Sequence, residues 1–176
     1  MPYVMKVRLP ANRRKLGVLE ILDTLTGLAE FGPIQCYGKA DGKTGESKGN
    51  AELDSRKRYG NAPLGGYDVT GIQGPDDARY GQYARLVLVG KSGDAAIRQA
   101  LTNELRIHGG PVNLGASLLR PTNGCIRVLD NDMQKLLAFI SDKGLIYPLP
   151  LEVAEGDDFP LVDGGPDEDY VDPAGG

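Results

Sequence analysis

One histidine and one cysteine in this sequence have the surroundings that nucleophilic chemistry requires. His108 is the only histidine of the 176-residue chain, and Cys125, one of two cysteines, follows it after sixteen residues. A thiol becomes a useful nucleophile near neutral pH when an imidazole takes its proton and positive charge or backbone N–H groups hold the thiolate. Arg127 stands two residues after the thiol. The pattern therefore favours nucleophilic chemistry by the Cys125 thiol.

The flanking residues predict how the chain presents these two groups. Leu105 and Ile107 alternate with polar neighbours, so we expect His108 at the end of a strand. Asn123-Gly124 is typical of a turn that could present Cys125 above it. A lone histidine or a lone cysteine is more often structural than catalytic. Hydrophobic packing, however, gives no reason for His-Gly-Gly or Asn-Gly-Cys, which favours a catalytic pair.

Short apolar runs separated by Gly/Pro turns predict a mainly β domain around this pair. Residues 86–89 should lie in its core, and Cys36 should be a small buried hydrophobe. Two short amphipathic helices are expected, the first with residues 96, 97, 100 and 101 on its apolar face. Pro148 and Pro150 predict that the last strand lies at a sheet edge. Residues 38–60 read as one long loop. The predicted strands cover residues 3–9, 16–22, 28–37, 61–69 (after a turn), 83–89 and 145–153, and the predicted helices 94–101 and 130–140.

Charge divides the chain into a basic body and an acidic tail. The net charge is −4, but residues 155–176 carry eight acidic side chains and no Lys or Arg, so the remainder is about +4. We therefore predict one domain over residues 1–154 and a solvated, Gly/Pro-rich tail over 155–176. A mildly basic body suits an anionic polymer such as a cell wall. The basic residues form no stripe interleaved with aromatic residues, so nucleic-acid binding is not predicted. No apolar run approaches the roughly 20 residues of a membrane span.

The order of these motifs resembles the catalytic domain of L,D-transpeptidases, the YkuD-type fold. The resemblance rests on Asn-Ala-Pro-Leu-Gly-Gly-Tyr, then Ile-His-Gly, then Thr-Asn-Gly-Cys-Ile-Arg-Val followed by a helix and a final strand, and it covers about residues 16–153. It implies an L,D-transpeptidase-like β-sandwich with two short helices. It also implies a cysteine that attacks the amide between an L-centre and a D-centre of a peptidoglycan stem peptide, after which the acyl group passes to an amine or to water.

The resemblance assigns roles to particular residues. Cys125 matches the nucleophile and His108 the general base, with the carbonyl of Gly109 placed to orient the imidazole. The backbone N–H groups of Gly124 and Cys125 would form the oxyanion hole. The candidate substrate-binding residues are Thr122, Asn123 and Arg127, with the basic loop of residues 56–59 as a rim. Many family members carry a second histidine where this chain has Asn123. The role of that second imidazole is therefore either absent here or taken over by the Asn123 amide.

Arg127 has two alternative interpretations. In the first, it binds a substrate carboxylate through two hydrogen bonds. In the second, it pairs with Asp130 or Asp132 at the following helix, a surface arrangement of little energetic value.

Three functions from different classes are compatible with these residues. The first is acyl transfer on stem peptides, as L,D-transpeptidase, L,D-carboxypeptidase or D-amino-acid exchange chemistry. The second is an antibacterial effector toxin, delivered by a machine such as type VI secretion, that trims or caps tetrapeptide stems and is paired with an immunity protein. The third is a non-catalytic wall-binding module. Cys/His chemistry needs no cofactor or metal, and none is predicted. The first residues interleave charge with apolar side chains, so no signal peptide is predicted for a protein expected in the cell envelope or secreted.

Overall fold

Eight β-strands close on each other to form a barrel, with the strands in the order β1-β2-β3-β7-β6-β5-β4-β8. The structure, a computed structural model, describes residues 2–110 and 119–167. The strands are β1 Tyr3–Leu9, β2 Gly17–Asp23, β3 Ala29–Tyr37, β4 Gly65–Gln73, β5 Arg85–Gly90, β6 Arg106–His108, β7 Ile126–Val128 and β8 Leu149–Glu155. Neighbours are antiparallel except for β1 with β8 and β6 with β7, which are parallel.

In each strand, apolar side chains that alternate along the sequence form the buried face. In β1, Tyr3, Met5, Val7 and Leu9 are buried, because side chains at i and i+2 share a face of the sheet. Leu149, Leu151 and Val153 repeat the pattern in β8. These side chains meet those of the other strands in one apolar cluster that fills the barrel. In β5 only Leu86 and Leu88 belong to that core, whereas Val87 and Val89 are half-buried.

The expectation of a mainly β fold is confirmed, but the expected sandwich is wrong, because the sheet closes into a barrel. The predicted edge position of the last strand is also wrong. Strand β8 pairs with β1 on one side and β4 on the other. Its ladder with β1 begins at Leu151, one residue after Pro150, so the missing N–H of the proline does not interrupt that ladder.

In the part of the chain that the structure describes, three α-helices accompany the barrel, rather than the two expected. They are α1 Gly42–Ser47, α2 Gly93–Gln99 and α3 Asp130–Asp142. Helix α1 lies inside the segment read as a loop and is capped by Asp41, whose side chain accepts a hydrogen bond from Thr44 N. In α3, Met133, Leu136 and Ile140 are buried on one face. Within residues 2–110 and 119–167, no helix is long and apolar enough to cross a membrane.

Helix α2 buries a different face from the one its apolar residues predict. Ile97 and Leu101 are 51% and 55% exposed, whereas Ala95 and Arg98 are buried. The spacing of the apolar residues predicted the wrong face because the buried position is occupied by Arg98. Its guanidinium group donates to backbone carbonyls instead of packing against apolar side chains. The helix is therefore oriented by a charged residue.

The first part of the acidic tail lies along the body through Asp167, the last residue described. Leu16 N donates to Val162 O at 2.7 Å, and Tyr37 Oη donates to Gly165 O at 2.8 Å. Four of its carboxylates pair with basic residues of the body: Glu155 with Arg13, Asp158 with Arg8, Asp163 with Lys15 and Asp167 with Lys39. Part of the acidic tail thus forms ion pairs with the basic body of the same chain. Residues 168–176 lie outside the described part.

Candidate active site

Two short parallel strands place the predicted pair of residues on the same face of the sheet. In their register Ile107 lies beside Ile126 and His108 beside Arg127. Both isoleucines point into the barrel core. Since successive side chains alternate between faces, Arg106 and His108 on β6 share the outer face with Arg127 on β7 and with Cys125, the residue before it. His108 ends its strand, as the sequence predicted.

The His108 ring is held in one orientation by its own strand end. Nδ1 lies 2.6 Å from the carbonyl oxygen of Gly109. A carbonyl can only accept, so Nδ1 carries the hydrogen and Nε2 is the basic nitrogen. The ring of Tyr80 packs edge-on against the imidazole, with the ring centres 4.9 Å apart. A side chain at Gly109 would overlap Asp130, so a glycine at that position lets the strand end approach α3.

The Cys125 sulfur contacts the backbone of the neighbouring strand. Arg106 N donates to Sγ at 3.2 Å, and the thiol in turn donates to the Glu104 carbonyl at 3.5 Å. A backbone N–H aimed at the sulfur favours the thiolate form. Cys125 and His108 are both 0% exposed. The thiol is therefore buried yet hydrogen-bonded, which differs from a cysteine that only fills space in a core.

The turn before the thiol is fixed by Thr122 and by a glycine. Thr122 Oγ1 accepts from Gly124 N at 3.1 Å and donates to Cys125 O at 3.0 Å. Gly124 has φ +125°, and a Cβ there would lie 2.5 Å from Arg98 Nη2, so only glycine fits. Of the two predicted oxyanion donors, the Gly124 N–H is thus already engaged by a hydroxyl. Thr122 supports the turn and is buried, as is Asn123.

Arg98 is a site residue that the sequence reasoning missed. Its Nη2 donates to Asn123 O at 2.6 Å and its Nη1 to Ser55 O at 3.1 Å. This guanidinium from α2 therefore clamps the turn that carries Cys125 to the loop of residues 51–60. Burial lowers the pKa of Arg98, while the Cys125 thiol opposes that shift. The available signal was an arginine three residues after Ala95, on the same helix face.

Arg106 is the second residue that was missed. Its backbone contacts the sulfur, and its side chain lines a cleft next to Cys125. Burial lowers the pKa of Arg106, and here too the Cys125 thiol opposes the shift. The predicted rim is present in part, because Arg58 and Tyr59 lie with Arg98 and Asn123 around a small cavity, whereas the exposed Arg56 pairs with Asp54.

Arg127 lies inside the protein rather than on its surface. Its Nη2 donates to Arg79 O at 3.2 Å, and within the described residues it forms no ion pair with Asp130 or Asp132. Its Nε and Nη1 are buried and have no hydrogen-bond partner among residues 2–110 and 119–167. The structure thus does not support the pairing with the following helix, and two donors beside His108 remain unsatisfied.

Comparison with known proteins gives a fold but no family. No family model matches the chain, and no curated protein matches it in sequence. Among solved structures, Bd1075 of Bdellovibrio bacteriovorus superposes on 92% of this chain and 50% of its own, with a TM-score of 0.53 and 14% identity. The helical cell shape determining protein Pgp2 of Campylobacter jejuni covers 89% of this chain and 49% of its own, with a TM-score of 0.49 and 16% identity. The chain thus spans about half the length of these proteins, and the likeness concerns the fold alone.

Proposed function

We propose that this chain is a cysteine-dependent acyltransferase or peptidase of the L,D-transpeptidase (YkuD) type that acts on peptidoglycan stem peptides. One observation carries the proposal. The His108 imidazole, with Nδ1 bonded to the Gly109 carbonyl, shares one face of a parallel strand pair with the Cys125 sulfur, which is itself held by a backbone N–H. A positioned base, a nucleophile and a group that orients the base are the elements of covalent acyl transfer.

The reaction follows from these groups. His108 Nε2 takes the thiol proton, and the Cys125 sulfur attacks the amide carbon that links an L-centre to a D-centre. The negative charge that develops on the amide oxygen is stabilised by backbone N–H groups near the thiol. The imidazolium then gives its proton to the leaving nitrogen as the C–N bond breaks. A thioester remains, which water or an amine resolves while His108 again takes a proton.

Two arginines, Arg98 buried and Arg106 half-buried, favour this chemistry over a structural role for the thiol. Arg98 and Arg106 are near enough to Cys125 for electrostatic interaction with it. Positive charge next to a cysteine stabilises the thiolate. The unsatisfied donors of Arg127 beside His108 are what an anionic group of a substrate would satisfy, so the carboxylate-binding role of Arg127 stays a prediction.

The proposal is tested by incubating the protein with purified muropeptides and analysing the products by mass spectrometry. We expect loss of the terminal D-amino acid, its exchange for a free D-amino acid, or dimer formation, and each product identifies the group that resolves the acyl-enzyme. A covalent adduct on Cys125 should be trapped at short times. Unchanged muropeptides that nevertheless bind the protein would contradict the proposal and favour a wall-binding module.

A further inference from the structure

A cleft of about 110 Å³ opens beside the proposed nucleophile. The proposed roles of His108 and Cys125 do not explain what this cleft binds. Its walls come from β4, β5, β6, the residue Glu104 that precedes β6, and the 3₁₀ turn Ala78–Tyr80. Two wall residues contact the Cys125 sulfur through their backbones: Arg106 by its N–H and Glu104 by its carbonyl. The wall of the cleft therefore adjoins the reacting thiol. The residues that line it are Gln73, Tyr80, Arg85, Glu104 and Arg106.

The side chain of Arg106 is held in the cleft by neutral groups. Arg106 donates from Nε to Gln73 Oε1 at 3.0 Å and from Nη1 to the carbonyls of Asn103 and Leu105, both at 2.8 Å. All three acceptors are neutral. Within the part of the chain that the structure describes, Arg106 forms no ion pair. Its Nη2 is not used by any of these bonds.

Arg85 is held in place but keeps part of its guanidinium available. Its charged end lies over the Tyr80 ring, 4.5 Å from the ring centre, and its Nη1 pairs with Asp76 at 2.8 Å. The Asp76 side chain is 60% exposed and is not among the cleft residues, so water screens its charge. Tyr80 also packs on His108 and thus connects Arg85 to the imidazole.

The cleft favours an anion over a cation or a neutral group. Arg85 lowers the pKa of Arg106, after the larger effects of burial and of Cys125, which means that the two guanidinium groups repel each other. Glu104 is the one carboxylate in the lining, and its side chain is exposed at the mouth. A carboxylate held between the two arginines would satisfy unused donors of both and remove their repulsion.

We propose that Arg85 and Arg106 form a subsite for a free carboxylate of the substrate, close to the carbon that the Cys125 sulfur attacks. The proposal rests on the proposed function, in which the substrate is a stem peptide. Two carboxylates of such a peptide have the required chemistry, that of the terminal residue and that of a diamino acid. A substrate that lacks the relevant carboxylate would leave the pair of arginines without its partner and bind weakly.

Alkylation of the thiol tests the subsite without any peptidoglycan. Iodoacetate and iodoacetamide both form a sulfur–carbon bond with the Cys125 thiolate and release iodide, but only iodoacetate carries a carboxylate. The ratio of the two rate constants therefore isolates recognition of the anion from thiol reactivity. We expect this ratio to be higher in the folded protein than in the urea-unfolded chain, and to fall about tenfold in Arg85→Gln and in Arg106→Gln.

Matched variants separate local binding from net charge and from misfolding. Lys6→Gln removes one positive charge from an exposed ion pair with Glu152 and should leave the ratio unchanged. Arg106→Gln keeps the backbone N–H that bonds the sulfur, so its iodoacetamide rate reports an intact site. Arg85→Lys keeps the charge but loses the planar fork, and its ratio should lie between wild type and Arg85→Gln. Equal ratios in wild type, Arg85→Gln and Arg106→Gln, or an equal fall in Lys6→Gln, would overturn the proposal.

Amidated muropeptides then identify which carboxylate is bound. If the terminal carboxylate occupies the cleft, a terminal carboxamide should raise KM in wild type and have little further effect in Arg106→Gln. If the carboxylate of the diamino acid is bound, amidation there should have this effect instead. Substrates whose two amidated forms react like the free acid would contradict the subsite. An altered alkylation ratio without any muropeptide turnover would retain the anion subsite and refute the proposed function, so the two failures are distinguishable.

Discussion

The two cysteines of this protein are equally buried, yet their surroundings differ in every respect that affects reactivity. Neither forms a disulfide and both are 0% exposed. They are close along neighbouring strands, since Cys36 on β3 pairs with Val128, three residues after Cys125. Cys36 points into the apolar core, and burial raises the pKa of its thiol. Cys125 lies on the opposite face, with a backbone N–H on its sulfur and two arginines near it.

The difference teaches that exposure alone does not identify a nucleophile. A buried thiol in an apolar environment is a small hydrophobe, because the thiolate cannot be solvated there. A buried thiol that contacts an N–H donor and positive charge has its anion stabilised by the protein instead of by water. The Gly-rich flanks of Cys125 predict the same difference between the two cysteines.

The largest contrast should come from replacing each cysteine by alanine. Cys125→Ala should lower muropeptide turnover by more than about 10⁴-fold, since the nucleophile is lost, and leave the melting temperature nearly unchanged. Cys36→Ala should keep turnover but lower the free energy of unfolding by about 1–2 kcal/mol, because it leaves a small cavity. Turnover by mass spectrometry and urea unfolding measure the two effects. Activity that survives in Cys125→Ala would end the proposed mechanism.

Replacing the base should have the next largest effect. His108→Gln should reduce turnover by about 10²–10⁴-fold, the usual contribution of a positioned proton acceptor. Modification of Cys125 by iodoacetamide should slow in the same variant, whereas modification of Cys36 in the unfolded chain should not. Alkylation rates at several pH values test this. A thiol that reacts equally fast without His108 would show that the imidazole is structural.

A smaller effect is expected from the guanidinium that clamps the turn. Arg98→Gln removes charged donors from the carbonyls of Asn123 and Ser55, and we expect turnover to fall by about 10–100-fold, equivalent to ~1.5–3 kcal/mol. Arg98→Lys should retain part of the activity. Ile97→Ala provides the matched control on the same helix, because that side chain is half exposed. Equal turnover in Arg98→Gln and Ile97→Ala would show that the clamp has no role in positioning Cys125.

The smallest effect sharpens the description of Cys36. The pKa of the Cys36 thiol is raised in the folded protein, so the folded state favours the neutral thiol. This preference stabilises the fold fully below the unfolded pKa of about 8.5, and the stabilisation is lost as the pH rises above that value. In a Cys125→Ala background, stability should therefore fall above pH ~8.5 by at most about 1.4 kcal/mol per pH unit. Adding Cys36→Ala should remove the part of this decline that the thiol causes, which is measured between pH ~8.5 and ~9.5, below the pKa of about 10 at which unfolded tyrosines titrate. Identical pH profiles of stability for Cys125→Ala and for the double variant would show that the Cys36 thiol does not cause the decline.

Local sequence patterns predicted the strands, but not how the sheet closes. Residues 3–9 and 28–37 alternate clearly enough to be placed within one residue of β1 and β3. The pairing of β1 with β8 joins segments far apart in sequence, and no local period reports such a contact. The two prolines that suggested an edge are also local signals, and the pairing of β8 on both sides overrode them.

The site was predicted where it depends on residue type and missed where it depends on contacts between distant segments. His108, Cys125 and the Gly109 carbonyl follow from motifs in the chain. Arg98 and Arg106 act through their positions relative to Cys125, which only the folded chain defines. The apolar period of α2 even predicted the wrong face, because the rule assumes that a buried face is apolar and Arg98 is buried against carbonyl oxygens instead.

The parallel pairing of β1 with β8 also delays the assembly of the site during folding. Met5 pairs with Leu151 and Leu9 with Glu155, so the barrel cannot close until both of these distant segments are available. Contacts of such high sequence separation make folding slow, on the scale of milliseconds to seconds for small β domains. During vectorial synthesis the strands that carry His108 and Cys125 emerge before β8. The chain therefore passes through a stage in which its thiol has been synthesised but its closed barrel has not formed.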